Sequence, residues 1–368
     1  MRIVFIGGRD IRKIGGIENY MFNLSSYLIK AGHTPIVFCE SDHNGKEIIS
    51  GIEVYHVKGP KSPFICKPYV GLIATLKSVF FLKNIDVIHY NAWPPSLWSF
   101  IPRIFKIPSL MQGHGFEWKR SKYSRNQQKI MKFMERITAH LNRNLIMCSE
   151  EQTKYFAEHY KRKAVTIPTA INLPNKSFQS ANLISHFNIK PHKYFLFLAR
   201  LVQDKNPDYL IKAFRQINCN DFQLVIAGDN PSDPSYVTHL KDLANGMSNV
   251  IFTGAVYGKQ KEELLRNAFY FCIPSTIEGL SIALLEAMSY KLPILASSIE
   301  ANKEILNNDS AIWVIPEDVE SLKNGLKDCL SSFENIPAMV ERNFEAVKSN
   351  YTWEKITEKY LDYLRQIV

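Results

Sequence analysis

The chain of 368 residues has room for two domains of ordinary size, each able to bury a core, and its 46% hydrophobic and 22% charged residues describe a globular protein. A formal charge of +10 favours an anionic partner, which charge alone leaves open among phosphates, nucleic acid and an anionic lipid surface. Six scattered cysteines with no C-x-x-C pair argue against a zinc site and predict reduced thiols in a cytoplasm, and no apolar run is long enough to span a bilayer. The opening MRIVFIG is too short for a signal-peptide core, so residues 1–7 are expected to lead straight into a fold. Short apolar runs at 2–7, 34–40, 86–91, 145–150 and 164–168 read as buried parallel strands, and a further strand ends at Leu110. Between the first two runs, Ile17, Tyr20, Met21, Leu24 and Leu28 form one apolar helical stripe that stops at Gly32. A polar stretch near 173–190 interrupts the pattern. It restarts with runs at 194–200, 222–228, 249–254, 269–275, 293–297 and 311–315, each paired with a helix. Such alternation predicts two parallel-sheet α/β domains facing each other across a cleft. The expected boundaries are 1–172 and 190–350, with a closing helix at 351–366 returning to the first domain.

Ligands of open parallel sheets bind beyond the carboxyl ends of the strands, so the residues after each strand carry the interest. GGRDIRKIGGIEN follows the first strand, and it lacks the G-x-G-x-x-G dinucleotide fingerprint. Gly15 and Gly16 open the next helix, whose free N–H groups attract an anion; a glycine hinge with solvated Arg9, Arg12 and Lys13 fits this stretch equally well. Glu18, in the first turn, complements the helix dipole. His114 stands between two glycines in QGHGF, with little cover for a core histidine, where it could donate to a sugar hydroxyl or stabilise developing charge. In LARLVQDKNPDYL, Arg200 ends a strand and Lys205 precedes a helix, with Asn206 as N-cap and Pro207 in the first helical position. Two cations there suit a pyrophosphate, or else are simply solvated at the surface. Gly228 and Gly254 allow either a tight turn or close approach of a flat ligand.

The stretch STIEGLSIALLEAM sets Glu278 among turn formers and Glu286 inside an apolar helix. If residues 278–286 formed one helix the carboxylates would lie ~12 Å apart along its axis, off a common face. With Glu278 in a loop, both can face one cleft, the hexose of a nucleotide-sugar near Glu278 and its ribose near Glu286. A salt bridge is the plainer role for Glu286, but no basic residue stands three or four positions to either side.

Taken together, GGIE, GHG, Arg200 with Lys205, IAGD, FTGAV and PSTIEGLSIALLEAMSYKLPILAS resemble the retaining glycosyltransferases of family four, which have the GT-B fold. The resemblance covers nearly the whole chain and implies transfer of a sugar from a nucleoside-diphosphate donor, UDP- or GDP-linked, to a glycan or lipid-linked glycan in cell-surface polysaccharide synthesis. Retention at the anomeric carbon, no metal and no cofactor are implied with it. By the same resemblance Arg200 and Lys205 hold the diphosphate, with Glu278, Gly279, Leu280 and Ser281 on donor sugar and phosphate. Glu286 takes the ribose, Gly228 and Val256 complete the donor side, and Gly16 lies near the phosphate. His114 faces the reacting sugar, and Gly15 and Glu18 belong to the acceptor side. Three departures touch donor recognition: IPTAIN stands where the family has PNGxD, Lys291 replaces a glycine, and SSIEANKE leaves Glu304 as counterpart of a later glutamate. A sugar-nucleotide 2-epimerase of the same fold and a non-catalytic nucleotide-sugar binder are the alternatives. The first usually brings further cleft carboxylates and histidines not found here; His114 and the glycine pair speak against the second. Nucleic acid is not an expected partner. The basic, aromatic-bearing segment Phe116–Ile137 predicts contact with an anionic cytoplasmic membrane face, or else an ordinary amphipathic helix packed on its domain.

Overall fold

The computed structural model describes every residue except 14, 120–122, 176 and 332–335, and only the backbone at 63, 64 and 117. Of the basic segment just quoted, Arg120, Ser121 and Lys122 therefore lie outside the described residues. The chain forms two compact units, Met1–Ala170 with Trp353–Val368, and Ile171–Thr352.

The first unit is built on eight strands: β1 (Arg2–Arg9), β2 (Thr34–Ser41), β3 (Gly45–Ile49), β4 (Ile52–Lys58), β5 (Val87–Asn91), β6 (Ser109–Gly113), β7 (Asn144–Met147) and β8 (Val165–Thr166). Their order across the sheet is β3-β4-β2-β1-β5-β6-β7-β8. All neighbours pair in parallel except β3 and β4, an antiparallel edge hairpin absent from the sequence reading. Its turn is Ser50–Gly51, both left-handed (φ 50° and 83°), the geometry that suits a two-residue hairpin to the twist of its strands. The apolar run expected to continue to 150 ends at Met147, because Ser149 turns out to cap the helix Glu150–Tyr160 by accepting from the Gln152 amide.

Both faces of this sheet are covered. On one, helix Gly16–Lys30 buries Tyr20, Met21, Leu24 and Leu28 in one cluster with Phe5, Trp353, Ile356, Tyr360 and Leu364. The last four belong to the closing helix Trp353–Ile367, whose Tyr360 hydroxyl lies 2.8 Å from His89 Nδ1 in β5. Burying a side chain the size of Trp353 contributes about 2–3 kcal/mol, enough to hold the chain's end on this sheet. The opposite face carries helices Pro63–Phe80, Arg125–Leu141 and Glu150–Tyr160, whose Val70, Ala74, Ala139 and Phe156 pack with Val4, Ile6 and Tyr90.

In the second unit six parallel strands, β9 (Tyr194–Leu198), β10 (Gln223–Ala227), β11 (Val250–Gly254), β12 (Tyr270–Ile273), β13 (Ile294–Ser297) and β14 (Ile312–Val314), run in the order β11-β10-β9-β12-β13-β14. In each sheet the chain starts at an interior strand, fills one side and then crosses to the other. The order reverses between β1 and β5 in the first unit, and between β9 and β12 in the second. At such a reversal the two flanking loops part and leave a crevice above the carboxyl ends.

Candidate functional site

The crevice of the second unit is bridged by loops whose residues the sequence had singled out. Leaving β9, the chain passes the exposed Arg200, makes a short turn at Gln203–Lys205 and enters helix Pro207–Gln216. Asn206 sits at the N-cap position in a left-handed conformation (φ 52°), yet its side chain does not cap the helix. Its amide instead donates to the Pro274 carbonyl beyond β12 at 3.0 Å, and the Thr276 amide returns a bond to the Asp204 carbonyl at 3.0 Å. These two bonds tie the loop after β9 to the loop after β12. Across the same gap Lys205 forms an ion pair with Glu278, their side chains 18% and 7% exposed. The Glu278 carboxylate also accepts from Ser275 Oγ at 2.8 Å, which orients it.

Gly279 and Leu280 lead from Glu278 to Ser281, which caps helix Ile282–Ser289 by accepting from the Leu284 amide at 3.3 Å. Ile282 and Ala283 begin the helix, so their N–H groups find no carbonyl within it and remain available to an anion. A Lys–Glu pair over the reversal point, next to a helix N-terminus, can take a diphosphate on the ammonium and amides and sugar hydroxyls on the carboxylate.

Glu286 answers the question raised by its apolar helix. Its carboxylate meets Lys261 Nζ at 2.5 Å, from helix Gly258–Asn267. The absence of a basic residue within one helical turn counted against a salt bridge; the partner arrives from 25 positions away through the fold. With the pair 31% and 19% exposed, both groups remain within reach of a ligand. Two other donor-side residues have structural duties. A Cβ on Gly228 would lie 1.8 Å from the Ala199 carbonyl oxygen, so the close approach that glycine permits is to the chain itself. Val256 is 4% exposed and packs into the hydrophobic core of its unit with Leu264 and Leu265.

The first unit has its own crevice, beyond β1 and β5. Glu18 accepts at Oε1 from both the backbone N–H of Arg9 (3.0 Å) and its Nε (2.9 Å). Burial alone would raise the Glu18 carboxyl, but these hydrogen bonds hold it below its ordinary value. Hence Glu18 does more than complement the dipole. Gly15 is the N-cap of helix Gly16–Lys30, and a Cβ there would collide with Glu18 Oε2, whereas Gly16 faces open space. Neighbouring Arg12 bonds to Asp10, whose carboxyl its guanidinium draws down to about 2.

His114 follows directly on β6, which runs to Gly113 rather than stopping at Leu110. Its ring stands edge-on to Tyr20, centroids 5.2 Å apart, and Nε2 is 3.4 Å from Asn91 Oδ1. Burial lowers the imidazole to about 4 despite the field of Glu18, so it is neutral near pH 7. Asn91 ends β5 fully buried, and its Nδ2 has no partner among the described residues. The next residue, Ala92, holds φ at 101°, a strained value for a residue with a side chain. Sequence reasoning missed Asn91, Ala92 and Lys261. A polar residue closing the apolar run VIHYN was a usable signal for the first; nothing local announced the third. Among the described residues no group of three or more His, Cys, Asp or Glu side chains is placed to hold a metal ion.

Comparison with known proteins covers both units. The family model Glycosyltransferase Family 4 matches residues 14–174, and Glycosyl transferases group 1 matches residues 180–344. An uncharacterized glycosyltransferase of Methanocaldococcus jannaschii is 24% identical, over 95% of this chain and 93% of its own. The phosphatidyl-myo-inositol mannosyltransferase of Mycolicibacterium smegmatis is also 24% identical, over 98% of this chain and 92% of its own. Among solved structures, sucrose-phosphate synthase of Thermosynechococcus elongatus superposes with a TM-score of 0.85 at 19% identity, covering 99% of this chain and 98% of that one. The fold is that of the GT-B glycosyltransferases.

Proposed function

Because the chain belongs to the group 1, family 4 glycosyltransferases, we propose that it moves a sugar from a nucleoside-diphosphate donor to a glycan or lipid-linked acceptor, with retention at the anomeric carbon and without a metal. The observation that carries this reading is the Lys205–Glu278 pair spanning the strand-order reversal, beside the amides that open helix Ile282–Ser289. Cleavage of the bond between the anomeric carbon and the diphosphate oxygen leaves an oxocarbenium-like centre and adds charge to the departing phosphate. Lys205, Arg200 and those amides are fixed donors for that charge, stabilising the transition state more than the ground state. The acceptor hydroxyl attacks from the face the diphosphate leaves, and its proton passes to a phosphate oxygen, so no protein nucleophile is required. Glu278 holds the donor sugar, Glu286 with Lys261 the ribose end. In the first unit, neutral His114 can hydrogen-bond a sugar hydroxyl without adding a positive charge to its crevice. The lipid-linked acceptor class is supported by the relative named for phosphatidyl-myo-inositol.

The test is a panel of UDP- and GDP-sugars scored by protection against thermal unfolding, followed by transfer assays with the protecting donor. One donor should raise the unfolding midpoint, and transfer should give the retained anomer. Interconversion of the donor without an acceptor would reassign the chain as an epimerase, and protection with no turnover would leave it a binder.

A further inference from the structure

The helical layer that covers β5 and β6 ends in an exposed apolar patch that the candidate sites do not use. Phe80 closes helix Pro63–Phe80 and Phe81 follows it into β5, 60% and 79% exposed. Ile104 and Phe105 precede β6 and are 72% and 46% exposed. Since β5 and β6 are adjacent and parallel, both segments emerge at the same edge of the sheet. The rings of Phe80 and Phe105 meet there edge to face, centroids 5.2 Å apart. Exposed side chains of Lys83, Arg103 and Lys106 stand around these four residues. The Arg103 guanidinium reaches the Leu141 carbonyl, which brings the end of helix Arg125–Leu141 beside the patch. That helix presents Lys129, Ile130, Phe133 and Arg136 to solvent.

The charge around the patch has one sign. In the segments that carry it, residues 77–106, stand four lysines and arginines (77, 83, 103, 106) and one acid, Asp86. The Asp86 carboxylate is occupied by the Arg2 amide at 2.6 Å. Large apolar side chains left in water inside a basic rim mark an interaction site rather than ordinary surface. A second copy of the chain would set this basic face against its own basic face in a two-fold interface, a like-charge contact. An anionic bilayer matches both features, since acyl chains accept the rings while phosphate headgroups meet the cations.

We propose that the edge formed by Phe80, Phe81, Ile104 and Phe105, with its basic rim, docks the first unit onto an anionic lipid surface. No helix among the described residues is long and apolar enough to cross a membrane, so the contact is peripheral. The patch lies at the strands' amino ends, opposite the loops that carry Glu18 and His114, and docking leaves those loops uncovered.

Sedimentation of the full chain with phosphatidylcholine vesicles, with and without phosphatidylglycerol, tests this directly. Binding should require phosphatidylglycerol, fall as salt rises, and weaken at least tenfold in the Phe81→Ser/Phe105→Ser double variant. Lys106→Glu should weaken it about fivefold or more. All these side chains are exposed, so circular dichroism and transfer to a soluble acceptor should not change, which separates this proposal from the transferase reading. Failure of the wild type to bind at low salt, or wild-type binding by the double phenylalanine variant, overturns it. A wild-type dimer that the same variant dissolves would assign the patch to a second copy and overturn it equally.

Discussion

Replacing Lys205 by alanine separates the catalytic from the structural duty of one ion pair. The pair joins the loops after β9 and β12, with side chains 18% and 7% exposed. Removing the ammonium leaves the Glu278 carboxylate with the Ser275 hydroxyl and little water. A fully buried orphan charge costs about 3–5 kcal/mol; here residual solvent reduces that to roughly 2 kcal/mol. The second unit spans Ile171–Thr352, 182 positions (352 − 171 + 1). For a domain of that size a loss of this order lowers its unfolding midpoint by roughly 4–8 °C. The catalytic effect should be larger. A unit charge about 4 Å from the leaving phosphate contributes on the order of 4 kcal/mol at an effective dielectric of 20, close to a thousandfold in rate if felt mainly in the transition state. Turnover of Lys205→Ala should therefore fall at least a hundredfold. In the double variant Lys205→Met/Glu278→Gln, with no orphan charge, most of the stability should return while turnover stays low. Steady-state kinetics with the identified donor and calorimetry on the three proteins give the comparison. Turnover within threefold of wild type for Lys205→Ala, or activity restored together with stability in the double variant, would refute the reasoning.

Glu286→Ala should raise the donor KM at least tenfold with kcat nearly unchanged, because the charge-assisted bonds it makes are the same in ground and transition states. Activity should survive EDTA; abolition by EDTA with recovery on magnesium or manganese would overturn the metal-free reading. Glu135, in helix Arg125–Leu141, accepts from the Tyr160 hydroxyl at 2.9 Å, and burial pushes its carboxyl up to about 7. The unfolded chain gives up this proton near pH 4.5 while the folded one keeps it, so its contribution is present below pH 4.5 and lost as pH rises through 7. Glu135→Gln should accordingly gain stability over wild type at pH 8 and none at pH 4.5, read by urea unfolding at both. For His114 the sign is opposite. Its imidazole is held at about 4 against an ordinary 6.5, so its contribution is present above pH 6.5 and lost as pH falls toward 4. His114→Gln should flatten the acid limb of stability over that window, leaving the part due to His89, whose burial also lowers its pKa.

Much of the architecture was legible in the chain because its signals are local. Runs such as YFLFL and QLVIA are too short and too apolar to be anything but strands buried on both faces. Alternating with amphipathic helices, they require parallel sheets, and parallel sheets put the loops of interest at carboxyl ends. Lys205 and Glu278 could be named that way, each from its place after a strand. Tertiary structure alone decided which loops meet. Strand order is set by how crossovers pack, not by sequence proximity, and it is this order that brings residues 205 and 278 into an ion pair. The same holds for Lys261 and Glu286, which share no helical turn, and for Asn206, whose side chain leaves its own helix to bond Pro274. The pattern of the closing helix records an apolar stripe, but a stripe does not say which sheet it covers; contact with Tyr20 and Phe5 settles that. Charge and hydrophobicity are written residue by residue, whereas pairing is a property of distance, and distance exists only once the chain has folded.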